Sequence, residues 1–130
     1  MLVMTITERL GAEKYVSVAT FRRNGTAVAT PIWVVRDGDA LAVWTGTRTG
    51  KVKRVRNNPE VTVTGCDVRG RVNGEPAAGR AEVMSAADTE RVRGLIIRKY
   101  GLIGWLTVKG SKIRRGREGT VGIRIIMTEG

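Results

Sequence analysis

The sequence predicts a mainly β domain in which five or six antiparallel strands and two or three small helices form a closed or split β-barrel. Several segments alternate apolar and polar residues with a period of two, which is typical of half-buried strands. Short turns separate most of these segments, and turns of two or three residues join antiparallel strands rather than parallel ones. A length of 130 residues with 42% hydrophobic content suits one packed domain over residues 1–130.

The first elements along the chain are a short helix and a strand. Thr5 and Glu8 have the spacing of a capping box, in which a hydroxyl and a carboxylate bind free amides at a helix start. The helix should therefore run to about Gly11 or Ala12. Alternation predicts a strand over Tyr15–Phe21, and Asn24-Gly25 directly after it suits a type I′ turn, in which both central residues take positive φ.

The return strand carries a proline where a ladder amide would be expected. We predict this strand over Thr26–Val35, and a tight turn at Asp37-Gly38-Asp39 joins it to a third strand over Ala40–Thr45. Because proline cannot donate to a sheet ladder, Pro31 must lie at an edge, at a bulge, or where something other than a strand runs alongside.

The second half of the chain mixes helices and strands. A short helix over Thr49–Arg56 should stop at Asn57-Asn58-Pro59. Ser85 caps a longer helix that Tyr100-Gly101 should end, and residues 108–118 should form a polar, basic loop. The remaining predicted strands are Glu60–Asp67, Ala77–Met84 and Thr120–Met127.

The residue counts exclude whole classes of chemistry. The chain has no histidine and one cysteine, Cys66. It cannot hold a His-Cys zinc site, a Ser-His or Cys-His catalytic pair, or an internal disulfide, and we expect no metal site. Any reaction must therefore rely on a group that the protein does not supply. The lone cysteine, together with the lack of a signal-like start or a membrane-spanning apolar run, predicts a cytoplasmic protein.

Basic residues are concentrated in two stretches. Lys and Arg outnumber Asp and Glu by 23 to 12, which gives a formal net charge of +11. Fourteen of the 23 cations lie in Arg48–Arg56 and Arg91–Arg117, and neither stretch contains an acid. Nucleic acid is the obvious partner for such a pattern. However, aromatic residues make up only 5% of the chain and no strand carries an aromatic platform, so we expect no nucleic-acid partner.

The first basic stretch has the local chemistry of a phosphate site. Gly46–Lys51 follows a predicted strand and opens a predicted helix, which brings free amides and the positive end of a helix dipole together. The segment is not a nucleotide-binding P-loop, because three residues instead of four separate its glycines and Val52 follows the lysine. A solvated basic helix is the alternative. The surrounding hydroxyls and cations are Thr45, Thr47, Thr49, Arg48, Lys51, Lys53, Arg54 and Arg56.

Core packing is the expected role of each tryptophan, with its indole N–H bonded or exposed. These residues are Trp33, Trp44 and Trp105. Trp33 lies two residues past Pro31 and Trp44 directly precedes Thr45-Gly46, so a wall for a planar ligand is a second interpretation of Trp33.

The order of these segments resembles one known family. The matching segments are Ala19-Thr20-Phe21 before the Asn-Gly turn, Ala29-Thr30-Pro31-Ile32-Trp33, Val43-Trp44-Thr45-Gly46 and the run from Gly50 to Pro59. Together they look like the pyridoxamine 5′-phosphate oxidase-like FMN-binding split β-barrel proteins, in particular the flavin/deazaflavin oxidoreductases that use coenzyme F420. Val68-Arg69-Gly70-Arg71 and Arg98-Lys99-Tyr100-Gly101 are similar to that actinobacterial F420 branch.

This resemblance implies a six-stranded antiparallel split β-barrel and a homodimer with two cofactor sites in the grooves between its subunits. The ribityl phosphate would bind Thr45–Lys53, with Lys51 as the phosphate lysine and Lys53 as a second cation. The strand from Thr30 to Trp33 would lie along the ring, and Arg98, Lys99 or Tyr100 could come from the partner. The implied cofactor-binding residues are Thr30, Pro31, Ile32, Trp33, Trp44, Thr45, Gly46, Thr49, Gly50, Lys51 and Lys53.

The activity that the resemblance implies is hydride transfer from F420H2 to a small, electron-poor organic acceptor such as an enone, imine or quinone. The cofactor carries that chemistry, so no side chain need act as nucleophile or base and the missing histidine is no obstacle. An FMN-binding oxidoreductase, or a flavin or F420 carrier without turnover, is the alternative. A nucleic-acid or other polyanion-binding module is the third. Pyridoxal phosphate synthesis is not expected. The resemblance implies that the oxidases with that activity bind the substrate phosphate with an Arg and a His near the C-terminus, and this chain has no histidine.

Overall fold

The structure is a computed structural model that describes residues 4–128. Three helices, six strands and one short 3₁₀ turn make up this part of the chain. In order they are α1 (Ile6–Gly11), β1 (Tyr15–Phe21), β2 (Ala27–Asp37), β3 (Ala40–Gly46), α2 (Gly50–Asn57), β4 (Glu60–Cys66), β5 (Ala77–Val83), α3 (Ala86–Arg115), the 3₁₀ turn (Arg117–Gly119) and β6 (Thr120–Met127).

The six strands close into an antiparallel barrel, which confirms the predicted fold class. Their order around the barrel is β1-β2-β3-β6-β5-β4. Alternate strand residues point inward, and most of them are β-branched or Leu, the side chains that fill a pleated interior well. Residues from α1 and α2 complete this inner core. Its fully buried members include Leu10, Val16, Val34, Leu41, Val43, Val52, Val63, Ile123 and Ile125.

A second apolar layer lies outside the barrel, between α3 and strands β2, β3 and β6. Val35 and Ala42 alternate with the inward-facing residues of their strands and pack against Val92 and Ile96 of α3. Gly122 of β6 lets this layer approach closely, because a Cβ there would lie 2.7 Å from the Met84 sulfur. Both faces of β3 and of the middle of β2 around Val34 and Val35 are therefore covered, one by the barrel interior and one by the helix.

The predicted loop over residues 108–118 is wrong, because α3 continues to Arg115. Gly101 has φ 64° and ψ −136°, so the first helical part of α3 ends there, as Tyr100-Gly101 predicted, and a second helical part begins directly after this kink. Gly104 and Val108 are buried beyond the interruption, and a Cβ at Gly104 would lie 2.8 Å from the Ile96 carbonyl oxygen. The second part of α3 therefore packs back against the molecule instead of leaving it as a loop. None of the helices in residues 4–128 is long and apolar enough to cross a membrane.

The turn between β1 and β2 differs from the predicted type I′ turn. Gly25 has φ 87°, but no non-glycine residue of the described chain, Asn24 included, has positive φ. The Gly25 amide donates to the Arg22 carbonyl (2.8 Å), and the Asn24 side-chain oxygen accepts from the Thr26 amide (3.0 Å). These bonds describe a three-residue loop with glycine in the left-handed position, in which the asparagine acts through its side chain.

Candidate functional site

The turn between β3 and α2 presents free backbone amides. Thr49 is the N-cap of α2, but its hydroxyl donates to the Gly46 carbonyl (3.0 Å) and does not cap the helix. It also lies 3.5 Å from the hydroxyl of Thr45. Within residues 4–128, no acceptor faces the amides of Gly50 and Lys51. The first turn of this eight-residue helix is therefore open to an anion.

Cations crowd this helix start with no acid in its first turn. Lys51 is buried, 9% exposed, and its ammonium makes no hydrogen bond or ion pair with any described residue. Burial lowers the pKa of Lys51, and the nearby Arg54 guanidinium lowers it further. The positive end of the helix dipole lies at the same place. A bound anion would compensate for the burial of the Lys51 ammonium, for its repulsion by Arg54 and for the positive end of the helix dipole.

Arg54 folds back towards the helix start. Its Nε donates to the buried Thr20 hydroxyl (2.6 Å), and a Cβ on Gly50 would lie 2.5 Å from its Nη1. Gly50 therefore leaves the space that this guanidinium occupies. Arg54 belongs with Lys51 in the candidate site, although the resemblance did not single it out.

A cleft of about 740 Å³ opens beside the turn. Thr47 ties the turn to the segment after α3, since its amide donates to the Gly119 carbonyl (3.0 Å) and its hydroxyl to the Glu118 carbonyl (2.7 Å). Arg115, at the end of α3, reaches over Gly46, where a Cβ would lie 2.5 Å from Nη1. The lining residues are Gly46, Thr47, Arg48, Thr49, Arg115, Glu118 and Gly119.

The predicted ring strand places its side chains on two faces. Ile32 packs against the barrel interior, and Trp33 packs in the outer layer under α3. Pro31 is exposed opposite Ser17 of β1, while β3 pairs with β2 only from Val34 onward. At Pro31, β2 therefore has a neighbouring strand on one side only. This position agrees both with an edge proline and with a proline that lies beside a ligand.

Two buried polar atoms of the implied cofactor set have no partner among residues 4–128. They are the Thr30 hydroxyl and the Trp44 indole nitrogen. A buried polar group without a hydrogen bond is costly, so unpartnered groups of this kind point to a ligand or to water. Trp44 lies in the outer layer with Trp33. Trp105 is exposed, so the core role expected for it is wrong.

A second pocket of about 340 Å³ lies around the stacked pair Trp33 and Tyr100. Their ring centroids are 4.3 Å apart and the rings are 9° from parallel. Burial raises the pKa of Tyr100 to about 12. Lys99 Nζ donates to the carbonyls of Gly11, Glu13 and Val34, and burial lowers its pKa. Within one chain, this ammonium therefore joins α1, α3 and β2.

The structure brings together part of the residue set that the resemblance implied. The residues around the β3–α2 turn are Thr45, Gly46, Thr49, Gly50 and Lys51, while Lys53 is exposed on α2. The remaining members are Thr30, Pro31 and Ile32 on β2, and Trp33 and Trp44 under α3. Cofactor binding by this set stays a prediction. Sequence reasoning missed Arg115, because it assigned that residue to a loop. The buried Gly104 and Val108, four residues apart, are the helical signal that could have placed it.

Several solved structures share this fold. An F420 reductase aligns with a TM-score of 0.64 at 21% identity, covering 97% of this chain and 96% of its own. A conserved hypothetical protein from Mycobacterium tuberculosis aligns at 0.71 and 19%, covering 97% and 82%. An FAD-binding protein from Mesorhizobium loti aligns at 0.59 and 18%, covering 98% and 94%. Identities this low establish the fold alone.

Sequence comparison supplies the family. A search of curated proteins found no match to this chain. The family model described as pyridoxamine 5′-phosphate oxidase matches residues 3–125, almost the whole sequence. The closed antiparallel barrel is the architecture that the sequence resemblance implied for that family. The chain therefore belongs to the pyridoxamine 5′-phosphate oxidase family.

Proposed function

We propose that this protein is an F420H2-dependent reductase that passes a hydride from the deazaflavin to a small, electron-poor organic acceptor. The observation that carries the proposal is Lys51, a buried lysine at the start of α2 that lies beside Arg54 and has no acidic partner among the described residues. A phosphate group bound there would meet free amides, the helix dipole and two cations at once.

The surplus of positive charge favours F420 over FMN. One phosphate needs no more than the helix start, Lys51 and Arg54, yet Arg48 and Arg115 also line the adjoining cleft, where Glu118 is the one acid among the lining residues. F420 carries a polyglutamate tail in addition to its phosphate, and such a tail would occupy a cation-rich cleft. When bound, the cofactor supplies the hydride chemistry. The chain's own residues bind and orient it, and none need act as an acid or base.

Separate titrations with F420 and with FMN, followed by fluorescence quenching, test the choice of cofactor. We expect tight binding of F420, and oxidation of F420H2 when a small enone or quinone is added. Tight FMN binding without any response to F420 would refute the proposal and favour an FMN-dependent oxidoreductase. F420 binding without turnover of any acceptor would favour a carrier. Generic DNA provides a polyanion control, because tight, salt-sensitive DNA binding would favour a nucleic-acid module instead.

The Lys51→Ala variant tests the phosphate site itself. It should weaken F420 binding by about 1–3 kcal/mol, the scale for losing a charge-assisted hydrogen bond. The matched control is Arg56→Ala, which removes one positive charge from an exposed position of the same helix and should leave the affinity almost unchanged. Equal affinities for the two variants would remove Lys51 from the site.

We also propose that the protein works as a homodimer whose cofactor sites lie in grooves between subunits. The support is the resemblance, together with the position of the 740 Å³ cleft beside the β3–α2 turn at the surface of a single chain. Sedimentation equilibrium gives the mass in solution. A monomer that binds F420 as tightly as any larger species would contradict the shared site.

A further inference from the structure

The second part of α3, residues 102–115, has its apolar residues on the outside. Its inward side carries the buried Gly104 and Val108. Its outward side carries large apolar residues instead of the polar ones that usually face water. We call these residues the outward face of α3; they are Leu102, Ile103, Trp105, Leu106 and Ile113.

Helical geometry gathers three residues of this face into one strip, with Trp105 on one side of it and Ile103 on the other. At 100° per residue, Leu102, Leu106 and Ile113 lie within about 40° of one another around the helix axis. Ile113 is 86% exposed and Leu106 is 55% exposed. The helix over residues 102–115 is about 21 Å long. Lys109 separates Ile113 from the exposed cluster of Leu102, Ile103, Trp105 and Leu106, and an exposed apolar cluster of this kind marks a site of interaction.

All charged residues on and beside the strip are cations. From Arg91 to Arg117 there are nine basic residues and no acidic one. Lys109 lies on the outward side between Trp105 and Ile113, and Arg114 lies on the other flank. Neither Lys109 nor Arg114 forms an ion pair within the described part of the chain. The charge around the strip therefore calls for an anionic partner.

We propose that the outward face of α3 binds the surface of an anionic phospholipid membrane, with the helix lying in the plane of the interface. Leu and Ile side chains would enter the boundary between headgroups and acyl chains, Trp105 would lie at headgroup level, and Lys109 and Arg114 would contact lipid phosphates. Exposed apolar residues interspersed with and flanked by basic ones are typical of an interfacial helix.

A second copy of this chain fits the outward face less well. Lys109 lies near the middle of the 102–115 helix, so a symmetric antiparallel contact centred there would bring it against its own copy. The stretch provides no acid to separate those two ammonium groups. An anionic lipid surface supplies the opposite charge at every point along the helix.

Vesicle flotation tests the proposal on the full-length protein. The probes are vesicles of phosphatidylcholine alone and vesicles with equal parts of phosphatidylglycerol. We expect binding to the anionic vesicles, loss of that binding at high salt, and a blue shift of tryptophan emission that Trp105→Phe removes. Lys109→Gln should weaken binding about fivefold, the scale for one cation at an anionic surface.

The matched pair of variants is Leu106→Gln and Ile126→Gln, because the two side chains are 55% and 57% exposed but only the first lies on the outward face. Leu106→Gln should weaken vesicle binding about tenfold, and Ile126→Gln should leave it unchanged. Circular dichroism of both variants checks the fold. Failure to bind anionic vesicles, or equal weakening by both variants, would overturn the proposal. So would a soluble oligomer that Leu106→Gln dissociates, because that result would assign the face to a second copy.

Discussion

Arg93 provides the sharpest test of how the fold supports the cleft. Its side chain is buried in α3. Nη2 donates to the Arg117 carbonyl (2.7 Å) and to the carbonyl and hydroxyl of Thr120 (3.3 and 2.7 Å), while Nη1 pairs with Glu90. One guanidinium therefore fixes both ends of the segment whose middle, Glu118 and Gly119, lines the cleft.

The perturbation is Arg93→Met, which keeps a long apolar stem and removes the guanidinium. It deletes charge-assisted bonds and leaves the Thr120 acceptors buried without a donor. Two features reduce the loss: Arg93 Nε has no partner in the described chain, and Glu90 is half exposed and keeps Lys112 at 3.2 Å. We therefore expect the free energy of unfolding to fall by about 2–4 kcal/mol, below the loss for a pair in which both charges are buried.

Urea denaturation measures that loss, and Thr120→Val is the companion variant. Thr120→Val removes one acceptor and should cost about 1–2 kcal/mol. Because the two side chains contact each other, the double variant should show a coupling energy of about 0.5–3 kcal/mol. A loss below about 1 kcal/mol for Arg93→Met, or strictly additive effects, would refute the reasoning. F420 affinity should fall in Arg93→Met, since the cleft wall loses its anchor.

Lys51, Gly101 and Tyr100 each allow a further test of the structure. Burial holds the pKa of Lys51 below 10.5, so the lysine loses its charge in the folded protein as pH rises from that lowered pKa towards 10.5. Over this range F420 affinity should fall, whereas the free energy of unfolding of the cofactor-free protein should rise. Lys51→Met should abolish both trends in pH titrations. Gly101→Ala should lower the free energy of unfolding by about 1–3 kcal/mol in urea denaturation, because Gly101 has φ 64°. Gly94→Ala is the control: it lies in regular helix with equally open space and should raise the free energy of unfolding slightly. Equal effects of the two substitutions would contradict this reasoning. Tyr100→Phe should cost about 1–3 kcal/mol, because the Val34 amide loses its acceptor, and an unchanged urea midpoint would contradict that role.

The strands could be predicted from sequence because their signal is local. Val16 and Val18 of β1, for example, repeat every second residue and both enter the inner core. The start of α1 was equally readable. Both bonds of the capping box between Thr5 and Glu8 form as expected, since only four consecutive residues take part.

The path of α3 could not be predicted because it depends on distant contacts. Gly101 does take the positive φ expected of a helix end, so the local signal was correct. A second helical part begins directly after Gly101, and Gly104 lets it pack close to the Ile96 carbonyl, a contact that no short window shows. The position of Arg115 in the candidate site follows from that continuation. For the same reason, the sequence predicted the β3–α2 turn as a candidate phosphate site but did not predict that Arg115 lines the cleft beside it.

The glycines of the candidate site explain why it resembles a P-loop without being one. In a P-loop, glycines let the backbone approach phosphate. Here a Cβ at Gly46 or Gly50 would lie 2.5 Å from a guanidinium nitrogen of Arg115 or Arg54, and neither glycine has positive φ. Their role is therefore to admit arginines, whose flexible ends would move aside if alanine took their place. The fold thus holds guanidinium groups close to the free amides and the buried Lys51, an arrangement of like charges that a bound anion would stabilise.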